Sequence, residues 1–211
     1  MKILGINGSP RKNGASARLL ENALKIADDV SPAASVDRID LVDYDIRHCT
    51  GCDACLKEAC PLDGEDDYPA VQEKLLDASA IIIASPTYFS NVPGILKDFI
   101  DRSRRLKMDR GKLRDKYFTC LVSSGLRNGG AELVTLMLNN WALSHGMLIV
   151  GSVGNYLMEN YLPITTLQRD GLRSFRKPGD QDEISDKVSE RIGKRLALLT
   201  TGLAKGNQPP R

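Results

Sequence analysis

The chain has 211 residues, of which 42% are hydrophobic and 27% are charged, and we expect a single domain over residues 1–211. Its 29 Lys and Arg residues against 27 Asp and Glu give a formal net charge of +2, so electrostatics give no reason to expect nucleic acid or an anionic membrane as a partner. The first apolar run stops at Asn7, and no run approaches the roughly 20 apolar residues of a membrane helix. These features predict a cytoplasmic protein.

The first part of the chain alternates strand and helix patterns. Residues 2–6 form a short apolar run before a stretch rich in Gly, Ser, Pro and Asn, which is typical of a strand and a loop. Apolar residues then recur on one helical stripe over about 15–29. A second strand is indicated at 36–41, and a helix at about 68–77 after a cysteine-rich segment.

The same alternation continues. Residues 80–84 are apolar at every position, as in a strand covered by helices on both faces, and this favours a parallel sheet. Further elements are predicted as a helix opening at Pro93, a strand at 117–123, a helix at 131–144, a strand at 147–150 and a helix at about 181–203. Five strands alternating with helices predict a doubly wound α/β fold.

Two segments depart from this pattern. Residues 155–179 lack clear periodicity, and an irregular insertion of that length is often functional or at an interface. Residues 204–211 are expected to form a flexible tail.

The loop after the first strand has the chemistry of a phosphate site. Residues 8–16, GSPRKNGAS, place backbone N–H groups and a helix N-terminus together, where anions bind. Ser9 and Ser16 add hydroxyl groups, and Arg11 adds a bidentate donor. Neither the Walker spacing nor the dinucleotide fingerprint is present, so the loop favours a terminal phosphate such as that of FMN.

Two motifs carry a resemblance to a known family. GSPRKNGAS after strand one and SPTYFSNVPGILKDFIDR after strand three resemble the flavodoxin-like NAD(P)H-dependent FMN reductases over roughly residues 1–150. The resemblance implies a flavodoxin-like five-stranded sheet in the order 2-1-3-4-5. It also implies that Ser9, Arg11 and Ser16 hold the FMN phosphate.

The resemblance further implies where the rest of FMN lies. The loop after strand three would border the ribityl chain and the ring through Pro86, Thr87, Tyr88, Phe89 and Ser90. The loop after strand four would close the ring site through Ser124, Gly125, Gly129 and Gly130. No catalytic side chain is expected, because the cofactor performs the chemistry.

Four of the five cysteines fall within twelve residues, with the spacing C-x2-C-x2-C-x4-C: Cys49, Cys52, Cys55 and Cys60. In a reducing compartment such a cluster favours metal binding over disulfides. The compact spacing matches the run that grips a [4Fe–4S] cube. Zinc bound by four thiolates and free thiols are the alternatives.

The cysteine motif within an FMN domain resembles the iron–sulfur flavoproteins. That resemblance implies that the four cysteines bind one [4Fe–4S] cluster and that the chain passes electrons from a donor such as ferredoxin, or from NAD(P)H, to an acceptor. It also implies a homodimer or homotetramer in which a neighbouring subunit brings its cluster to the FMN. The alternatives are an NAD(P)H-dependent FMN or quinone reductase without a functional cluster and a redox-sensing module.

The position of the cysteine insertion and three other features give further expectations. Because the insertion follows strand two, it is predicted at the same edge of the sheet as the flavin loops. The basic run Arg102–Arg105 is predicted to be a solvated helix end. Cys120 should be a small buried hydrophobe, and His145 should complement a helix dipole.

Overall fold

The computed structural model describes residues 1–152, 162, 164–169, 174–177, 180 and 182–202. The strands are β1 (Lys2–Asn7), β2 (Ser35–Asp40), β3 (Ala80–Pro86), β4 (Tyr117–Ser124), β5 (Leu148–Ile149) and β6 (Ile164–Thr166). The helices are α1 (Ala15–Val30), α2 (Tyr68–Asp77), α3 (Gly94–Arg102), α4 (Arg104–Met108), α5 (Ala131–Ser144) and α6 (Glu183–Thr200).

The strands form one sheet in the order β2-β1-β3-β4-β5. Every pairing along this path is parallel, and the predicted topology is therefore confirmed. β3 lies at the centre and is buried along almost its whole length, because helices cover both faces of a doubly wound sheet.

The two faces of the sheet carry separate apolar cores. On one face α1 and α6 pack on Ile3, Ile82 and neighbouring residues. On the other face α2, α3, α4 and α5 pack on Ile81, Phe118 and neighbouring residues. Each core is thus built from alternate residues of the same strands, as the period of two in a strand requires.

The structure adds one strand beside β4. β5 pairs with Tyr117 and Phe118 at the start of β4, whereas β6 pairs with Val122–Ser124 at its end. β6 lies within residues 155–179, which were expected to be irregular; much of that insertion, and the tail 204–211, lie outside the described residues. Three residues are too few to give a strand pattern.

Other differences are local. The fifth strand covers two residues rather than 147–150, and the last helix spans 183–200 rather than about 181–203. Pro93 lies just before α3 and not within it. Within the described part of the chain, no helix combines the length and the apolar character needed to cross a bilayer.

Candidate functional site

The loop between β1 and α1 leaves the start of the helix open to a ligand. Gly14 is the residue before α1, and neither a capping side chain nor an acidic residue occupies the first turn. Ser9 and Ser16 are buried there, and Arg11 is exposed. The first N–H groups of a helix need partners from outside it, and they favour an anion.

Asn7 and Asp40, which the sequence did not single out for this role, hold the loop in place. The Asn7 side chain donates to Asp40 Oδ1 at 2.6 Å and accepts from the N–H of Ser9 at 3.2 Å. The hydroxyl of Ser9 in turn accepts from the N–H of Arg11 at 3.0 Å. These bonds orient the loop before any ligand binds.

The loop after β3 forms a tight turn with an unusual backbone. Tyr88 and Asn91 exchange backbone hydrogen bonds of 2.8 and 3.0 Å, and Phe89 and Ser90 between them have φ of 50° and 60°. Both are left-handed, which costs a residue with a Cβ about 1 kcal/mol. The side chain of Phe89 is fully exposed, so packing within the described chain does not offset the cost of this conformation. Strained residues of this kind cluster at ligand sites.

The loops after β3 and β4 touch each other. Gly130 has a φ of 86°, and a Cβ there would lie 2.3 Å from Ser90 Oγ and 2.8 Å from Ser90 Cα. Only glycine allows this approach. Gly129 and Ser124 border a cleft of about 580 Å³, where the Ser124 hydroxyl donates to the Leu126 carbonyl at 2.7 Å.

The three loops therefore meet at the carboxyl edge, the edge of the sheet where the strands end. The N–H of Gly8 donates to the Ala84 carbonyl at 2.8 Å and joins the first loop to β3, and the N–H of Thr87 donates to the Ser123 carbonyl at 2.8 Å and joins β3 to β4. Pro86 and Gly125 lie beside these junctions.

Two buried hydroxyl groups at this edge, those of Thr87 and Thr166, have no hydrogen-bond partner among the described residues. A buried hydroxyl without a partner costs about 1–3 kcal/mol. Together with the open start of α1, it fits a bound molecule that carries both a phosphate and polar groups, as FMN does.

The four cysteines occupy one loop on the surface. Cys49 and Cys52 are exposed, and Cys55 and Cys60 are half-buried. Gly51 and Asp53 have φ of 67° and 61°. These left-handed residues turn the chain after each of the first two cysteines.

The surroundings of Cys52 favour its thiolate form. The N–H of Ala54 and then the hydroxyl of Thr50 lower the pKa of the Cys52 thiol. Four cysteine thiolates are the donor set of an iron–sulfur cluster or of zinc. Across the described residues, however, no three or more His, Cys, Asp or Glu side chains are arranged to hold a metal ion. The chemistry of the donor set fits a cluster, whereas the described side chains are not arranged to hold a single metal ion.

A buried ion pair fixes this loop to α3. Arg102 and Asp66 are paired, and their side chains are 2% and 0% exposed. Arg102 also donates to the Arg47 carbonyl at 3.3 Å, and Asp66 accepts the N–H groups of Arg47 and Tyr68, each at 3.1 Å. The interpretation of this basic run as a solvated helix end is wrong for Arg102.

The ion pairs also place the cysteine loop away from the three loops at the carboxyl edge. Arg104 pairs with Asp53 and Arg105 with Asp63, and both arginines lie on α4, beyond the end of α3. The insertion therefore leaves β2 and crosses the helix layer toward the amino edge of the sheet. The expectation that it would lie at the carboxyl edge is wrong, because the position of β2 fixes only where the loop begins.

A network of buried groups lies behind the cysteine loop. Trp141 Nε1 donates to Ser103 Oγ at 2.9 Å, and Ser103 donates to the Ile100 carbonyl at 2.6 Å. The hydroxyl proton is then in use, so His145 Nε2, at 3.1 Å, donates to Ser103 as well. Burial and then Lys107 lower the pKa of His145 to about 4. His145 is neutral at pH 7 and does not complement a helix dipole as a cation.

Cys120 behaves as expected. It is buried within β4, and burial raises the pKa of its thiol to about 12. This thiol is a small core residue, distinct from the four in the surface loop.

The parallel sheet and the three loops at its carboxyl edge define a flavodoxin-like protein that binds a phosphorylated ligand. Residues 1–158 match the model of the NADPH-dependent FMN reductase family. The chain belongs to this family and is a flavin-dependent oxidoreductase whose cofactor is FMN.

Proteins related to this chain have names that are more specific than the family description. An iron–sulfur flavoprotein from Archaeoglobus fulgidus is 43% identical over 198 residues, which are 93% of this chain and 94% of that protein. Another from Methanocaldococcus jannaschii is 33% identical over 209 residues, 97% of this chain and 100% of that protein. The resemblance to iron–sulfur flavoproteins is thereby confirmed.

Solved structures support the fold. The flavodoxin-like WrbA-like protein from Agrobacterium tumefaciens has a TM-score of 0.60 at 20% identity, with 95% of this chain and 97% of that chain covered. At this identity the comparison shows the architecture alone.

Proposed function

We propose that this protein is an electron-transfer flavoprotein that holds FMN at the carboxyl edge and a [4Fe–4S] cluster on Cys49, Cys52, Cys55 and Cys60. It passes electrons from a donor such as ferredoxin, or from NAD(P)H, to an acceptor. The observation that carries the proposal is the presence of both features in one chain: an edge with an open helix start and an unpaired hydroxyl, and a loop with four cysteines. The similarity to iron–sulfur flavoproteins over nearly the whole chain supports it.

The chain's own groups bind and orient the flavin in this proposal. Ser9, Arg11, Ser16 and the first N–H groups of α1 hold the phosphate. The residues Pro86, Thr87, Tyr88, Phe89 and Ser90 border the ribityl chain and the ring, and Ser124, Gly125, Gly129 and Gly130 close the site. The exposed ring of Phe89 covers an apolar face of the flavin ring, and the Thr87 hydroxyl forms a hydrogen bond with a polar group of FMN. FMN, when bound, supplies two-electron chemistry that can proceed in single-electron steps.

The four thiolates hold the cluster, and nearby cations balance their charge. Asp53 first, and then the nearby Cys55 and Cys49, raise the pKa of Arg104, while Asp66 and then Cys60 raise the pKa of Arg102 against the opposing effect of burial. Reduced thiols of this kind need a reducing compartment such as the cytoplasm.

The separation of the two sites favours an oligomer. The flavin loops lie near the start of α3 and the cysteine loop lies near its end. We infer a homodimer or homotetramer in which one subunit's cysteine loop approaches the carboxyl edge of its neighbour.

The test is the cofactor content of anaerobically purified protein. We expect one FMN, four iron atoms and four sulfides per chain. Cys52→Ala should abolish iron and sulfide and leave FMN bound, while Cys120→Ala, the matched control in the core, should keep both. Stoichiometric zinc without sulfide would contradict the cluster.

One observation favours a second candidate. Residues 1–158 match the NADPH-dependent FMN reductase family, and this match supports an NAD(P)H-dependent FMN or quinone reductase without a functional cluster as the second candidate. In that case a variant with Ala at all four positions, Cys49, Cys52, Cys55 and Cys60, would keep full NAD(P)H oxidation.

A further inference from the structure

The segment that follows Arg102 in the chain carries solvent-exposed cationic side chains. Lys107, Arg110 and Lys112 are all exposed. In the described part of the chain the side chains of Lys107 and Arg110 form no ion pair, and Lys112 reaches only Asp109, at 3.5 Å. Exposed pairs of that length contribute little. Together with Lys57, these cations outnumber Asp109 and Glu58, the exposed acids beside them, so this surface keeps a net positive charge.

These cations border the cysteine loop on two sides. A cleft of about 390 Å³ is lined by both Cys49 and Lys107. A second cleft of about 520 Å³ is lined by Cys55, Arg110 and Lys112. Each cleft leads from the basic surface to a cysteine that we assign to the cluster.

The centre of the surface is apolar. Met108 is 46% exposed and borders both clefts, and Leu56, which is 47% exposed, adds to the second. A small apolar centre within a ring of charges suits a complex that forms fast and dissociates fast, because the charges steer the encounter and the contact area stays small. Redox partners form complexes of this kind.

We propose that the α4 surface, made of Lys107, Met108, Arg110 and Lys112, is the docking surface for an acidic electron-transfer protein. This inference rests on the proposed function. In the complex the partner is oxidised by one electron and this chain is reduced by one, and no bond forms or breaks.

Other occupants fit the surface less well. A second copy of the chain, joined by a two-fold axis through this patch, would place like charges opposite each other. A nucleic acid needs a track of cations along its backbone, whereas here the cations surround Met108 and Leu56. An acidic protein surface with an apolar spot complements both features.

The test compares two double charge reversals. Lys107→Glu/Arg110→Glu changes the α4 surface. Lys25→Glu/Lys194→Glu makes the same change in net charge on α1 and α6, across the sheet, where both residues are also exposed. The probe is an acidic two-cluster ferredoxin, photoreduced for the kinetics. Its Kd for each holoprotein is measured by calorimetry and its second-order electron-transfer rate by stopped flow.

We expect the α4 variant to lose about tenfold or more in affinity and in rate at low salt, and the control to stay within about twofold. The difference should vanish near 1 M salt, where the Debye length falls to about 3 Å. Equal effects of the two variants, or an effect that persists at high salt, would overturn the proposal. So would tight binding of duplex DNA to this surface in place of ferredoxin.

Failure of this inference can be told apart from failure of the proposed function. Sulfide content and reduction by dithionite report on the cluster without any partner. A loaded protein whose α4 variant still binds ferredoxin normally would refute the docking surface alone. Absence of the cluster would refute the function, while calorimetry would still report on docking.

Discussion

At the scale of single residues, the hydroxyl of Thr87 couples the stability of the protein to ligand binding at the carboxyl edge. Its hydroxyl is buried without a partner among the described residues, and Thr87 lies two residues before Phe89, where the strained backbone begins. A buried hydroxyl without a hydrogen-bond partner, here directly after the central strand, lowers the stability of the folded chain. A ligand that bonds the hydroxyl restores what was lost.

Thr87→Val should therefore act in opposite directions on the apoprotein and on the complex. The isosteric change removes an unpaired polar group, so the free energy of unfolding of the apoprotein should stay the same or rise. FMN affinity should fall about five- to tenfold, the worth of one hydrogen bond of about 1 kcal/mol. Urea unfolding and fluorescence titration measure the two effects. Thr87→Ser keeps the hydroxyl and should bind FMN normally; equal losses in both variants would contradict the hydrogen bond.

His145 predicts how stability depends on pH. Its pKa in the folded protein is about 4, lowered by burial and then by Lys107, whereas an exposed histidine titrates near 6.5. The unfolded chain thus binds the proton more readily, and stability is lost as the pH falls from about 6.5 toward 4.

Urea unfolding at pH 7 and pH 5 should show a loss of about 1–2 kcal/mol that His145→Gln reduces. The comparison is made between the two pH values for each protein, so any packing cost of the substitution cancels. An unchanged pH dependence in His145→Gln would assign the loss to other groups.

At the scale of elements, periodicity was enough for most of the fold. Residues 68–77, 117–123 and 131–144 were placed almost to the residue, because each pattern repeats over several positions. α4 was missed, since five residues with one buried leucine, Leu106, give no stripe. β6 was missed because it, too, is too short to give a pattern.

The candidate site was predictable only in part. The loops at the carboxyl edge follow from the parallel sheet, whereas the FMN contacts named within them come from the family resemblance and stay predictions. The contact between Gly130 and Ser90 and the pairing of Arg102 with Asp66 join residues 40 and 36 positions apart. A sequence pattern records nothing of such pairings, and the location of the cysteine loop depends on them.

Helix α3 carries one buried and one exposed ion pair, and a comparison of the two measures what the buried Arg102–Asp66 pair contributes. Arg102→Met leaves the carboxylate of Asp66 buried and unpaired, which should cost about 3–5 kcal/mol and expose residues 44–67 to proteolysis. Lys97 forms an exposed pair with Asp101 four residues on, at 2.6 Å, and Lys97→Met should cost less than about 0.5 kcal/mol. Urea unfolding and limited proteolysis measure the difference. Similar costs for the two variants would mean that the Arg102–Asp66 pair does not hold the loop.

At the scale of the whole molecule, α3 separates the two candidate sites. It begins at Gly94, shortly after the flavin loop, and ends at Arg102, beside the cysteine loop. Nine residues of helix span about 13 Å. The cysteine loop lies along the second half of this helix, from His48 beside Asp98 to Asp53 beside Arg104, and an oligomer can bring a neighbour's cysteines to the carboxyl edge instead.

Complementation between two inactive subunits distinguishes these arrangements. Cys52→Ala should remove the cluster and Arg11→Glu should remove FMN, because its carboxylate would lie against the phosphate, so neither homo-oligomer should pass electrons from the donor to the acceptor. In a mixed dimer the FMN of the first subunit can meet the cluster of the second only across the interface. We expect the mixed dimer, isolated with two different affinity tags, to recover up to about half of the normal rate, since one of two cofactor pairs is intact. If the mixed dimer contains one FMN and one cluster and still transfers no electrons, the transfer takes place within a subunit, and the cysteine loop must move along α3 to reach the flavin.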